Sequence, residues 1–123
     1  MATILVVDDS MFARLNICNM LQAAGHETVE AVDGRDGLEK AGTIKPDCII
    51  SDLLMPELDG IEFLAALKEK NLRLPVIVLS ADIQETKRQQ CLELGAAGFA
   101  YKPPQKQQIL SLIDGILGSR EVR

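Results

Sequence analysis

The chain has 123 residues, 47% hydrophobic and 25% charged, which is the size and composition of one globular domain. Thirteen Lys and Arg against 18 Asp and Glu give a formal net charge of −5, which repels a phosphate backbone and argues against nucleic acid as a direct partner. No apolar run could span a bilayer, and the start Met-Ala-Thr-Ile lacks the basic region and cleavage site of a secretory signal, so a cytoplasmic protein with no membrane partner is expected.

Residues 4–7, Ile-Leu-Val-Val, carry no alternating polar position and predict a strand buried on both faces. A first helix follows, with Ser10 as N-cap, Phe12, Leu15, Met20 and Ala24 near one face, and Gly25 as its stop; His26 reads as a turn residue. The second strand is 27–31. The second helix, around Arg35 to Gly42, is short and weakened by Gly37. The third strand, 48–51, contains Cys48, whose simplest reading is a small buried hydrophobe. The three cysteines are widely spaced and form no Cys-x-x-Cys pair, so neither zinc nor redox chemistry is indicated. A third helix capped by Asp59 presents Ile61, Leu64, Ala65 and Lys68 and ends before Pro75. Strand four is 76–79. The fourth helix, from about Ile83 to Leu94, is mostly Gln, Glu, Lys and Arg and stops at Gly95. Strand five is 98–101, and the last helix opens with Pro104 in its first turn and carries Ile109, Leu112, Ile113 and Ile116.

Strict alternation of five strands and five helices predicts an α/β fold, a doubly wound five-stranded parallel sheet with helices on both faces. The chain ends just after the fifth helix, so one domain over 1–123 with no output domain is expected.

In such a sheet, ligands bind outside the carboxyl ends of the strands. Those ends are followed by Asp8 and Asp9, by Asp52, by Ser80 and by Lys102. Three carboxylates within about 4–6 Å repel one another unless a cation joins them. The oxygen ligands suit magnesium, with manganese as the alternative. With Asp9 and Asp52 as ligands, room is left for a phosphoryl group, whose other oxygens Lys102 and Ser80 would bind, while Asp52 acts as nucleophile.

The segments VVDDS, SDLLMPELDG, VLSAD and GAAGFAYKP, in this order, resemble the receiver domain of two-component response regulators, from about Ile4 to Leu117. The resemblance implies a flavodoxin-like strand order of 2-1-3-4-5, Asp52 as phosphoacceptor, and Asp8 and Asp9 as metal-site residues, Asp8 acting indirectly or through water. It further implies the backbone carbonyl of Leu54 as a metal ligand, Lys102 as phosphate binder, and Ser80 and Phe99 as a switch pair. The Lys102–Pro103 bond is expected to be cis. Leu54 and Asp82, two residues after Asp52 and Ser80, occupy positions that tune phosphoryl lifetime in the family; here the first is apolar and cannot hydrogen-bond a hydrolytic water, and the second is acidic.

As a receiver, the chain would take a phosphoryl group from a histidine kinase or a histidine phosphotransfer protein. It would bind a downstream protein on the face of helix 4, strand 5 and helix 5, as a monomer or weak dimer, catalysing only its own phosphorylation and dephosphorylation. A magnesium-dependent phosphatase of the haloacid dehalogenase type is the alternative. It is disfavoured by the short chain and by Leu54, where that chemistry needs a second carboxylate.

Overall fold

The computed structural model describes residues 2–82 and 84–121, with side chains through residue 118. In chain order the elements are β1 (Thr3–Val7), α1 (Met11–Ala23), β2 (Glu27–Ala31), α2 (Gly34–Ile44), β3 (Cys48–Asp52), α3 (Gly60–Glu69), β4 (Val76–Ser80), α4 (Glu85–Glu93), β5 (Gly98–Tyr101) and α5 (Lys106–Glu121). The strands are parallel in the order β2-β1-β3-β4-β5, the flavodoxin-like arrangement.

Alternation within each strand divides the core into two layers. Ile4, Val6, Ile50, Ile77 and Leu79 face a layer completed by Ile17, Cys18 and Leu21 of α1 and by Ile109 and Ile113 of α5. Leu5, Val7, Ile49, Val76 and Val78 face the other, completed by Ala41, Phe63, Leu64, Leu67 and Cys91 from α2, α3 and α4. The central strands are apolar throughout because both of their faces are covered.

The helix termini follow the chain's own chemistry. Ser10 Oγ accepts from Ala13 N, and Asp59 forms a reciprocal capping box with Glu62. Gly25, at φ 91°, ends α1 with its N–H donating to Gln22 O, a backbone conformation that favours glycine.

The buried faces of two helices differ from the sequence reading. The stripe of α1 is Arg14, Ile17, Cys18 and Leu21, whereas Phe12 and Leu15 are exposed, Ala24 is exposed and Met20 is half-buried. Phe63, Leu64 and Leu67 anchor α3, and Ala65 and Lys68 face solvent. In both cases the true stripe keeps i, i+3, i+4 spacing with respect to the sheet.

Helix boundaries moved as well. α2 runs for eleven residues, capped by Asp33, and Gly37 also permits a close approach: a Cβ there would lie 2.9 Å from Val7 Cγ2. Pro104 precedes α5 by two residues instead of opening it. α4 begins at Glu85; Ile83, at which the sequence reading starts that helix, lies outside the described residues. Among the described residues no helix is long and apolar enough to cross a membrane.

Candidate functional site

β1 and β3 are adjacent although β2 lies between them in sequence, so the chain winds outward in opposite directions from this pair. The crevice outside their carboxyl ends is where an open α/β sheet binds ligands. Asp8 directly follows β1, Asp52 and Ser80 are the last residues of β3 and β4, and Lys102 directly follows β5. One ligand oxygen from each of Asp8, Asp9 and Asp52 lies within 4.8 Å of the others. Lys102 Nζ sits 3.1 Å from Asp8 Oδ2 and 3.1 Å from Asp52 Oδ1.

Asp8 is 1% exposed and Asp52 8% exposed, whereas Asp9 is exposed. Burial pushes the Asp52 carboxyl above its usual range, and the Asp8 carboxylate pushes it further; the Lys102 ammonium opposes both without cancelling them. Burial alone would lower the Lys102 pKa, but the Asp52 and Asp8 carboxylates together raise it. One ammonium against three carboxylates leaves a deficit of positive charge. The donor set is three carboxylates with no sulfur or nitrogen ligand, which fits a hard divalent cation such as magnesium.

Every polar group of Asp8 has a partner. Its N–H donates to Ala31 O at 3.1 Å, its backbone oxygen accepts from Arg14 Nη1 at 2.9 Å, Oδ1 accepts from Ser10 N at 2.9 Å, and Oδ2 from Lys102. The end of β3 is fixed differently. Leu53 N donates to Leu79 O, Gly60 N to Leu53 O, and Ser51 Oγ to Asp52 O at 3.0 Å. A Cβ at Gly60 would lie 2.8 Å from both Asp52 O and Leu53 Cα, so glycine is what allows α3 to start against the Asp52 backbone.

The other expected site residues are distributed around this centre. Ser80 is fully buried, and its hydroxyl accepts from Asp82 N at 2.9 Å and donates to Asp82 O at 3.2 Å, so it is engaged with the loop after β4. Asp82 Oδ1 in turn accepts from Gln84 N. Phe99 is half-buried against the second core layer, and its ring meets Tyr101 edge to face at 5.3 Å and 73°. Leu54 lies in the loop after β3 with 56% of its surface exposed. The Lys102–Pro103 peptide bond is cis.

Two features were missed from sequence. Arg14 is buried beside Asp8, and its signal was present: positions 14, 17, 18 and 21 have helical spacing with Ile17, Cys18 and Leu21, and the first of them is a cation. The mouth of the site is also flanked by apolar surface. Met11, Phe12 and Leu15 are exposed, Phe12 to 85%, and a groove of about 400 Å³ runs between Phe12, Ala13, Asn16 and Ile17 of α1 and Lys102, Pro103 and Pro104.

Residues 4–114 match the family described as response regulator receiver domain. The chain is 36% identical over 115 residues to the chemotaxis protein CheY of Listeria monocytogenes, covering 93% of this chain and 97% of that protein. It is 35% identical over 119 residues to the alkaline phosphatase synthesis transcriptional regulatory protein PhoP of Bacillus subtilis, covering 97% of this chain and 50% of the relative. It spans 28% of a matching protein-glutamate methylesterase/protein-glutamine glutaminase of Treponema denticola. The structure of the Vibrio cholerae chemotaxis protein CheY4 superposes with a TM-score of 0.87 at 35% identity, covering 94% of this chain and 98% of that one. A response regulator receiver domain protein from Clostridium thermocellum superposes at 0.93 with 26% identity, covering 99% and 98%.

Proposed function

The chain belongs to the response regulator receiver domains, the phosphoacceptor modules of two-component signalling, and from that premise we propose that Asp52 is its phosphoacceptor. The observation that carries the assignment is the pair of 3.1 Å contacts that Lys102 makes to Asp8 and Asp52, with the Asp9 carboxylate alongside. An Asp52 oxygen attacks the phosphorus of a phosphohistidine, the P–N bond breaks, the leaving imidazole nitrogen keeps the electron pair and takes a proton, and an acyl phosphate remains. Asp9, Asp52 and the Leu54 carbonyl would hold magnesium or manganese, with Asp8 acting through water. Such a cation supplies charge neutralisation for the phosphoryl oxygens when bound. The Lys102 ammonium, already between two carboxylates, binds a phosphoryl oxygen.

The new anionic oxygens then compete with Asp82 for the Ser80 hydroxyl, and the loop that this hydroxyl fastens is released with it. Phe99, half-buried on the neighbouring strand, follows, and the surface formed by α4, β5 and α5 presents a changed face to a downstream protein. Because Leu54 is apolar it cannot orient a hydrolytic water, and Asp82 adds a negative charge near the mouth; these two residues set the phosphoryl lifetime. The donor is a histidine kinase or histidine phosphotransfer protein. To bring its histidine to Asp52 it must cover the mouth, where Met11, Phe12 and Leu15 offer apolar surface to bury. The only chemistry assigned to the chain is its own phosphorylation and dephosphorylation, carried out in the cytoplasm by a monomer or weak dimer.

Incubation with acetyl phosphate should add one phosphoryl group only with magnesium or manganese present, and Asp52→Asn should abolish the mass increase. Uptake that persists in chelator, or in the Asn variant, would overturn the assignment.

A further inference from the structure

Arg14 is the one buried cation among the described residues. An apolar residue there would continue the stripe of Ile17, Cys18 and Leu21 without the cost of desolvating a guanidinium. Stability alone therefore does not explain it. Nη1 donates to the Asp8 backbone oxygen at 2.9 Å and Nε to Glu30 Oε1 at 2.9 Å, so one planar fork ties the end of β1 to β2. The tie continues outward: Lys40 Nζ donates to Glu30 O at 2.6 Å and to Asp36 Oδ2 at 3.2 Å, and Asp36 Oδ2 accepts from Val32 N. Asp9 is exposed and lies between two anchored neighbours, Asp8 and the α1 cap Ser10.

We infer that Arg14 is a positioning residue for cation binding, holding the Asp8–Asp9 turn so that the Asp9 carboxylate stays within reach of Asp52. This rests on the reading of Asp9 and Asp52 as cation ligands. Its effect has a sign that separates it from simple electrostatics. A positive charge near a divalent cation is repulsive, so loss of Arg14 would tighten binding if charge alone mattered. Loss of positioning weakens binding, and groups that orient ligands typically account for about 10–100-fold in affinity.

The test is a magnesium titration of the wild type, Arg14→Ala, Arg14→Lys and Asp9→Asn, followed by amide NMR shifts, with urea unfolding of each metal-free protein. Arg14→Ala should raise the magnesium Kd by about 10-fold or more. Arg14→Lys keeps the charge but cannot bridge Asp8 and Glu30 as a fork, and should show a smaller increase in the same direction. An unchanged or lower Kd in the folded variants, with only the unfolding midpoint reduced, overturns the proposal. Should Arg14→Ala fail to fold, Arg14→Lys decides by the same criterion. Wild-type protein that does not bind magnesium, or binding that survives Asp9→Asn, overturns the cation-site reading itself, a result distinct from intact wild-type binding that ignores Arg14.

Discussion

Helices α1 and α4 both start at the acidic edge of the sheet, and they are held there in opposite ways. α1 is capped by Ser10 and buries Arg14, Ile17, Cys18 and Leu21. α4 has no side-chain cap and buries only Cys91. Full burial of an Ile or Leu side chain contributes about 1.5–3 kcal/mol, so the two large aliphatic anchors of α1 outweigh the single thiol of α4 several times over. Their exposed surfaces differ too: α1 shows solvent Met11, Phe12 and Leu15, while α4 shows Glu85, Thr86, Gln89, Gln90 and Glu93, with Leu92 as its one exposed large apolar residue. The proposed switch would use this difference, with α1 as the fixed flank of the site and α4 as the one that opens at low cost.

Removing one anchor from each helix should give the largest difference between them. Ile17→Ala should cost about 2–5 kcal/mol in urea unfolding, the range for a fully buried large-to-small change. Cys91→Ala should cost about 1 kcal/mol, and amides 85–93 should exchange hydrogen faster than amides 14–21 in the parent protein. Equal losses, or equal exchange, would mean that α4 is no looser than α1.

A second test addresses the exposed faces. Phe12→Ser should slow phosphoryl transfer from a phosphohistidine-bearing protein by about 10-fold, as expected for an exposed aromatic anchor worth about 1–2 kcal/mol. The loss with acetyl phosphate should be much smaller, and equal losses with both donors would place Phe12 in the chemistry instead of the donor surface. Gln84→Ser supplies the cap that α4 lacks and should stabilise the helix by about 1 kcal/mol. It should slow exchange at 85–93 and reduce the amide shifts there when beryllofluoride and magnesium are added; undiminished shifts would separate helix stability from switching.

The strands and the placement of polar residues at their ends were legible in the sequence because both depend on local pattern. An apolar run ending in Asp, Ser or Lys reads the same whatever packs above it, and parallel winding then gathers those ends on one edge. The buried face of α1 was not legible. Phe12 and Leu15 are apolar and read as core, but the face that meets the sheet begins with Arg14, whose burial is made tolerable by Asp8 and by Glu30, sixteen residues away. Lys68 was assigned to the wrong face of α3 by the same shift of about one position. Gly37 looked like a helix weakness because the cost of glycine is local, whereas its benefit, close approach to Val7, is tertiary. The Ser80 hydrogen bonds to Asp82 could not be read either, since a hydroxyl's partner is chosen by the loop conformation.

In the order β2-β1-β3-β4-β5, the strand carrying Phe99 lies at the rim of the sheet, with hydrogen-bonded company from β4 alone. It is four residues long and begins at Gly98, so it is a short margin and not a central beam. A displacement beginning at Ser80 crosses a single ladder before it reaches the outside of the molecule. The inner strands β1 and β3 have neighbours on both sides and resist the same movement. In the proposed switch the yielding side would be this one, because the last strand of the chain pairs with a single neighbour.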